Sequence, residues 1–168
     1  APDDLGLLLF TSASDGNPKG VMLTHANLVS NVSALLDLRN PPIVSAEDTV
    51  LAVLPLFHVY GLNTVLTVAI AAGASVVILD RFDAAESLDV ISREHVTTVA
   101  GAPAMYLMWS RVPFVATAMR PVRLLSSGGA PLPVEVFNRF EELTGMRIFE
   151  GYGMTEASPV IASTVVDS

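Results

Sequence analysis

Residues Thr49 to Leu79 read TVLAVLPLFHVYGLNTVLTVAIAAGASVVIL and contain no Asp, Glu, Lys or Arg. By length alone this stretch could cross a bilayer. Pro55, Gly61 and Gly73 interrupt it, however, and Asn63, Thr64 and Thr67 place polar groups inside it, so no transmembrane span is expected. The pattern instead predicts a buried strand from Thr49 to Leu54 and a loop from Pro55 to Gly61. A helix follows from about Leu62 to Ala72, with Gly73 in the left-handed C-terminal position. Ser75 to Leu79, rich in β-branched residues, closes the unit as a second buried strand. Continuously apolar strands joined through a helix belong to a sheet covered on both faces.

The same alternation extends in both directions. Upstream, Leu5 to Phe10 reads as a buried strand and Thr11 to Gly20 as a polar loop. Thr24 is a good N-cap for a helix through about Leu38, whose apolar positions Leu28, Val29, Val32, Leu35 and Leu36 share one face. Asn40-Pro41-Pro42 stops it. Downstream, Asp83 or Ala84 starts a helix to about His95, Val96 to Ala100 is a strand, and Pro103 opens a helix through about Ser110. Val122 to Ser126 is a strand, Pro133 to Leu143 a helix and Arg147 to Glu150 a strand. The sequence therefore predicts an α/β fold with a largely parallel sheet.

Composition narrows the function. Of 168 residues, 51% are hydrophobic and only 15% charged, which excludes a disordered chain and leaves room for self-association. The net charge of −8 without a basic cluster argues against nucleic acid as a partner. Cysteine is absent, so neither a thiolate nucleophile nor a cysteine metal site exists. Ala1-Pro2-Asp3-Asp4 is not the start of a signal peptide, and a cytoplasmic location is expected.

In a parallel sheet, ligands bind where loops leave the carboxyl ends of strands. Four such loops carry reactive residues. Thr11-Ser12-Ala13-Ser14-Asp15-Gly16-Asn17-Pro18-Lys19-Gly20 gathers hydroxyls, glycines and a lysine, groups that can surround phosphate oxygens. It lacks the spacing of the common P-loop and also fits an ordinary polar turn. Leu54-Pro55-Leu56-Phe57-His58-Val59-Tyr60-Gly61 sets a histidine among aromatic residues; alone, this fits a core histidine equally well. Ser126-Ser127-Gly128-Gly129-Ala130-Pro131 permits close backbone approach to a flat ligand, or forms a tight strand-to-helix turn. Glu150-Gly151-Tyr152-Gly153-Met154-Thr155-Glu156 offers a stacking ring, a hydroxyl and a carboxylate suited to Mg²⁺. Neither a G-x-S-x-G elbow nor a strand-borne G-x-G-x-x-G is present.

Together and in this order, from about Asp4 to Pro159, these segments resemble the adenylate-forming (AMP-binding) superfamily. That group includes acyl-CoA and aryl-CoA synthetases, luciferases and peptide-synthetase adenylation domains. The Pro-Leu-Phe-His segment is most similar to the acyl-CoA synthetase and 4-coumarate-CoA ligase branch. The resemblance implies activation of a fatty or aryl carboxylic acid by ATP, with Mg²⁺ and coenzyme A, and a role in fatty acid metabolism. By resemblance, Thr11, Ser12, Ser14, Gly16 and Lys19 handle the β- and γ-phosphates, and Gly128, Gly129, Ala130 and Pro131 line the adenine site and the acyl pocket. Tyr152 and Gly153 meet adenine, Thr155 the α-phosphate, and Glu156 the metal; His58 lies beside the acyl carboxylate. Lys19, His58, Thr155 and Glu156 are the implied catalytic residues. No aspartate stands near His58 to hold a substrate amine, which favours an acid without an α-amino group. The family pattern also places an upstream portion and a mobile C-terminal domain outside residues 1–168. Those residues would then be a partial AMP-binding domain, inactive alone. An adenylation domain for another acid, or a non-catalytic nucleotide-binding or structural fragment, are the alternatives.

Two positions depart from the family pattern. Ala13 stands in place of a glycine, and Asp15 in place of a threonine. A carboxylate about 4 Å from a phosphate oxygen costs on the order of 4 kcal/mol at an effective dielectric constant near 20, before screening. Asp15→Thr in the full-length protein is therefore expected to tighten ATP binding in a calorimetric titration; unchanged affinity would refute a weakening role for Asp15.

Overall fold

The computed structural model describes residues 1–11, 17–38 and 41–165. Ser12, Ala13, Ser14, Asp15 and Gly16 of the hydroxyl-rich loop, and Asn40 of the expected helix stop, lie outside the described residues. The helix α1, His25–Leu36, begins where its cap predicts. The backbone N–H of Asn27 donates to the Thr24 hydroxyl (3.2 Å), and the Thr24 N–H donates to Asn27 Oδ1 (2.9 Å). This reciprocal pair satisfies two otherwise unpaired amides of the first turn. Asp83 caps α3, Ala84–Arg93, from one side only, its carboxylate accepting from the backbone N–H groups of Ala85 and Glu86.

The main sheet has six strands: β3 (Thr49–Ala52), β4 (Ser75–Ile78), β5 (Thr98–Gly101), β6 (Leu124–Ser127), β7 (Ile148–Gly153) and β8 (Val160–Ser163). Their spatial order is β4-β3-β5-β6-β7-β8. All neighbours pair in parallel except β7 with β8, which are antiparallel. The remaining helices are α2 (Val68–Ala72), α4 (Pro103–Trp109), α5 (Val115–Ala118) and α6 (Val134–Thr144). The expected helix after Gly61 starts earlier, as a π-helix over Tyr60–Thr67, and continues into α2; Gly73 ends it at φ +77°.

Side chains alternate across the sheet, so β3 and β5 each feed two cores. Val50 and Ala52 of β3 and Ala100 of β5 pack with Val32 and Leu35 of α1 and with Val65, Val68 and Ala69. On the other face Leu51, Val99, Leu125 and Ile148 pack with residues of α3, α4, α5 and α6, among them Leu88, Tyr106, Trp109 and Phe140. Phe82, Trp109, Tyr106 and Phe140 form a chain of edge-to-face ring pairs with centroids 5.3–5.4 Å apart. The Trp109 indole N–H donates to the buried Ser87 hydroxyl at 2.8 Å.

Three expectations change. Leu5 to Phe10 is not a buried strand of the main sheet. It belongs to β1, Leu5–Thr11, which pairs antiparallel with an unanticipated β2, Lys19–Thr24, and leaves Leu8, Phe10 and Met22 exposed. Ser75 to Ile78 is an edge strand and only partly buried: Val76 and Val77 pack into the cores on opposite faces, while Ile78 is largely exposed. The short helix α5, the strand β8 and the 3₁₀ turn Thr155–Ala157 were also not anticipated. Among the described residues no helix is long and apolar enough to cross a membrane.

The amino ends of the strands are tied by a buried carboxylate. Asp48, just before β3, accepts from Arg123 Nε (2.8 Å), from the Thr97 hydroxyl (2.6 Å) and from the N–H (2.7 Å) and hydroxyl (3.0 Å) of Ser45. Arg123 precedes β6 and also donates to the carbonyls of Pro42 and Ile43; Thr97 precedes β5. Burial pushes the Asp48 carboxyl upward, but the bonds from Arg123, Thr97 and Ser45 overcome it and hold the group well below the usual carboxylate range. A carboxyl with a depressed folded-state pKa stabilises the fold above its unfolded value, near 3.9, and loses that contribution as pH falls further. Asp48→Asn is thus expected to cost about 3 kcal/mol at pH 7 by urea denaturation. The gap from the unaltered chain should narrow below about pH 4; a gap independent of pH would contradict this account.

Candidate functional site

The direction of chain winding reverses between β3 and β5. The connection leaving β3 runs over the face carrying α1 and α2, whereas that leaving β5 runs over the opposite face. A crevice opens at the carboxyl ends of parallel strands where this happens. Here it receives the segments after β3, β6 and β7.

After β3 the chain turns at Pro55, whose carbonyl accepts the His58 N–H (3.1 Å), and enters the π-helix. The Tyr60 N–H donates to His58 Nδ1 at 3.2 Å, so Nδ1 is the accepting nitrogen and Nε2 the one left to donate. The Tyr60 ring lies on Gly128. A Cβ there would sit 3.1–3.2 Å from the ring atoms, so a side chain at this position would displace the tyrosine. Burial pushes the Tyr60 phenol up to about 12, a shift only partly offset by the Ser126 hydroxyl. Tyr106 donates to the Ser126 carbonyl at 2.6 Å, and its phenol is likewise raised, by burial first and by Tyr60. Both phenols remain protonated near neutrality and act as fixed struts under the end of β6.

After β7 the chain forms the 3₁₀ turn and doubles back as β8. Gly153 is required here: an added Cβ would stand 2.4 Å from the Pro159 carbonyl oxygen, which accepts the Met154 N–H at 3.0 Å.

His58, Tyr60, Gly128, Gly129, Tyr152 and Thr155 line one cleft of about 150 Å³. A larger groove of about 460 Å³ adjoins it, lined by Ser127, Gly129, Ala130, Pro131, Tyr152 and Gly153 among others. Tyr152 is 65% exposed and stands between the two, its ring available for stacking. The Ser127 hydroxyl at the groove is buried without a hydrogen-bond partner among the described residues. Such a group is normally satisfied by a ligand or water.

Not every expected residue meets there. Glu156 lines a separate shallow groove of about 250 Å³ with Asn27, Ser30 and Asn31 of α1. Successive residues of a 3₁₀ turn point about 120° apart, so Thr155 and Glu156 face different ways. Lys19 opens β2 opposite Thr11, and β2 packs against the 3₁₀ turn, but Lys19 lines none of these three cavities. Among the described residues no group of three His, Cys, Asp or Glu could hold a metal. A lone exposed carboxylate still fits Mg²⁺ carried by a nucleotide, since that ion commonly takes one or two carboxylates together with phosphate oxygens and water. Tyr60, Asn31 and Asn63 are prominent here but were not anticipated as site residues; the one signal was an asparagine inside an uncharged helix.

A family profile described as AMP-binding enzyme matches residues 1–168. The chain belongs to the AMP-binding enzyme family. It is 42% identical over 164 residues to a 4-coumarate–CoA ligase of Pinus taeda, covering 96% of this chain and 30% of that protein. It is 39% identical over 162 residues to a long-chain-fatty-acid–CoA ligase of Bacillus subtilis, covering 94% and 28%. An ATP-bound structure of MatB from Rhodopseudomonas palustris superposes with a TM-score of 0.90 at 33% identity, covering all of this chain and 32% of that one. The chain thus spans about a third of the length of the proteins it matches.

Gly153→Ala should lower stability by roughly 1–3 kcal/mol, the usual cost of forcing extra volume into a packed site. Urea denaturation measures it, and a loss under about 0.5 kcal/mol would show that the Pro159 carbonyl yields without cost.

Proposed function

We propose that the intact protein containing residues 1–168 activates a carboxylic acid with ATP and transfers the acyl group to coenzyme A. One observation carries the reading: the Tyr152 ring and Thr155 hydroxyl of one segment, the His58 imidazole of a second and the Gly128–Gly129 turn of a third line one cleft at the carboxyl ends of parallel strands. Likeness to CoA ligases of different acids supports the reaction class and leaves the acid open as fatty or aryl.

In the first step a carboxylate oxygen attacks the α-phosphorus of ATP, and the bond to the bridging oxygen of pyrophosphate breaks. Tyr152 stacks on adenine above Gly128, Gly129, Ala130 and Pro131, with Ser127 beneath as a donor. The Thr155 hydroxyl donates to an α-phosphoryl oxygen, where charge builds in the transition state. Thr11 and Lys19 hold the departing phosphates together with Ser12, Ser14 and Gly16. His58 presents its Nε2–H to the incoming carboxylate. Glu156 would hold magnesium, which supplies neutralising charge to the phosphates. In the second step the thiol sulfur of coenzyme A attacks the acyl carbonyl carbon, the bond from that carbon to the AMP phosphate oxygen breaks, AMP leaves and the thiol proton passes to solvent. The sequence on either side of residues 1–168 supplies the rest of the AMP-binding domain and a C-terminal domain in this reading.

Lys19→Ala in the intact protein is expected to slow acid-dependent ATP–pyrophosphate exchange by about a hundredfold, the usual scale for removing one charge-stabilising group. Unchanged exchange would remove Lys19 from the assigned role.

A further inference from the structure

Asn63 sits on the π-helix with 2% of its surface exposed, in a stretch otherwise chosen for apolar packing. A buried amide is costly unless its donors are used. Both Asn63 donors go to main-chain carbonyls of other segments: Leu28 of α1 at 3.2 Å and Ser158 at 2.7 Å. Asn31, one turn along α1 from Leu28, grips the same segment from the other side. Its amide donates to the carbonyls of Val160 (2.8 Å) and Ala157 (3.4 Å), and it accepts the Val160 N–H at 3.4 Å.

The segment so held is the support of the nucleotide-side turn. Pro159 lies between Ser158 and Val160, and its carbonyl accepts from Met154 and presses on Gly153. Ser158 has φ +71°, a conformation that a residue with a side chain keeps only where its surroundings hold it. The π-helix that carries Asn63 begins at Tyr60, on the lining of the acid-side cleft, two residues from His58. One side chain therefore connects the Pro55–Tyr60 segment to the backbone beneath Tyr152 and Thr155.

We infer that Asn63, assisted by Asn31, is a positioning residue that fixes the nucleotide-binding turn Tyr152–Glu156 relative to the acid-side segment. The inference rests on the reaction proposed above for its catalytic meaning, and on ATP binding alone for its test. Aspartate at position 63 keeps the shape but removes both donors and turns a carboxylate toward two carbonyl oxygens.

The test uses the intact protein with Mg²⁺ and ATP, comparing the unaltered chain with Asn63→Asp and Asn31→Ala. Unfolding temperature, calorimetric ATP affinity, and kcat and KM for ATP in pyrophosphate exchange are read for each. Folded Asn63→Asp should raise Kd and KM for ATP about tenfold, the scale of one buried hydrogen bond lost, with kcat at saturating ATP within about twofold. Asn31→Ala should raise them about threefold. A purely structural role would lower the unfolding temperature and leave the ATP affinity of the folded fraction unchanged, which would overturn the inference. Should Asn63→Asp not fold, Asn31→Ala decides by the same criterion. Loss of exchange in the unaltered protein, with ATP still bound, would defeat the reaction proposed above while the ATP titrations still judge the clamp. Failure of the unaltered protein to bind ATP would defeat both.

Discussion

One buried carboxylate determines where this sheet ends and its chemistry begins. Asp48, Thr97 and Arg123 each occupy the position just ahead of a strand, and their mutual bonds bring the amino ends of β3, β5 and β6 to a common level. The backbone extends that level: the Arg123 N–H donates to the Thr97 carbonyl and the Ser75 N–H to the Asp48 carbonyl. Strands rise by a fixed increment per residue, so a common starting height gives a common finishing height. The loops that carry His58 after β3 and Gly128 after β6 leave the sheet at one level for that reason. The charged pair lies at the end of the sheet opposite the cleft, where its field does not compete with an anionic ligand.

Much of this was legible because local chemistry and global fold agree at many positions. Thr24 with Asn27, Asp83 with two amides, and Gly73 at its positive φ each mark an element boundary by a bond or torsion the residue type dictates. The apolar strand runs gave the parallel sheet for the same reason. The failures are equally physical. Leu7, Leu8, Leu9 and Phe10 form an unbroken apolar run, the pattern of a doubly covered strand, yet β1 belongs to a hairpin with one face open. Strand β8 is short and continues a tight reversal whose geometry depends on Gly153 meeting Pro159, a contact that residue order does not display.

The site was legible as residue types but not as directions. Tyr152, Thr155, His58 and the glycines of the Ser127 loop could be named from composition after strand ends, and they line adjoining cavities. Thr155 and Glu156 are neighbours in sequence, yet the tight turn between them sends one toward the histidine and the other toward α1. Asn63 stood out in sequence only as a polar interruption of an apolar stretch, and Asn31 not at all, because a supporting residue has no reactive chemistry of its own. Only the carbonyls it reaches reveal it.

The two hydrophobic layers share strands but, among the described residues, only one side chain, Leu54, since alternate residues of β3 and β5 are dealt to opposite faces. Volume changes in the layer behind Trp109 and Phe140 are screened by the backbone of the sheet from the layer beneath the π-helix. The fold is in this sense modular across its thickness. A volume-conserving change in one layer is therefore expected to leave the packing of the other in place.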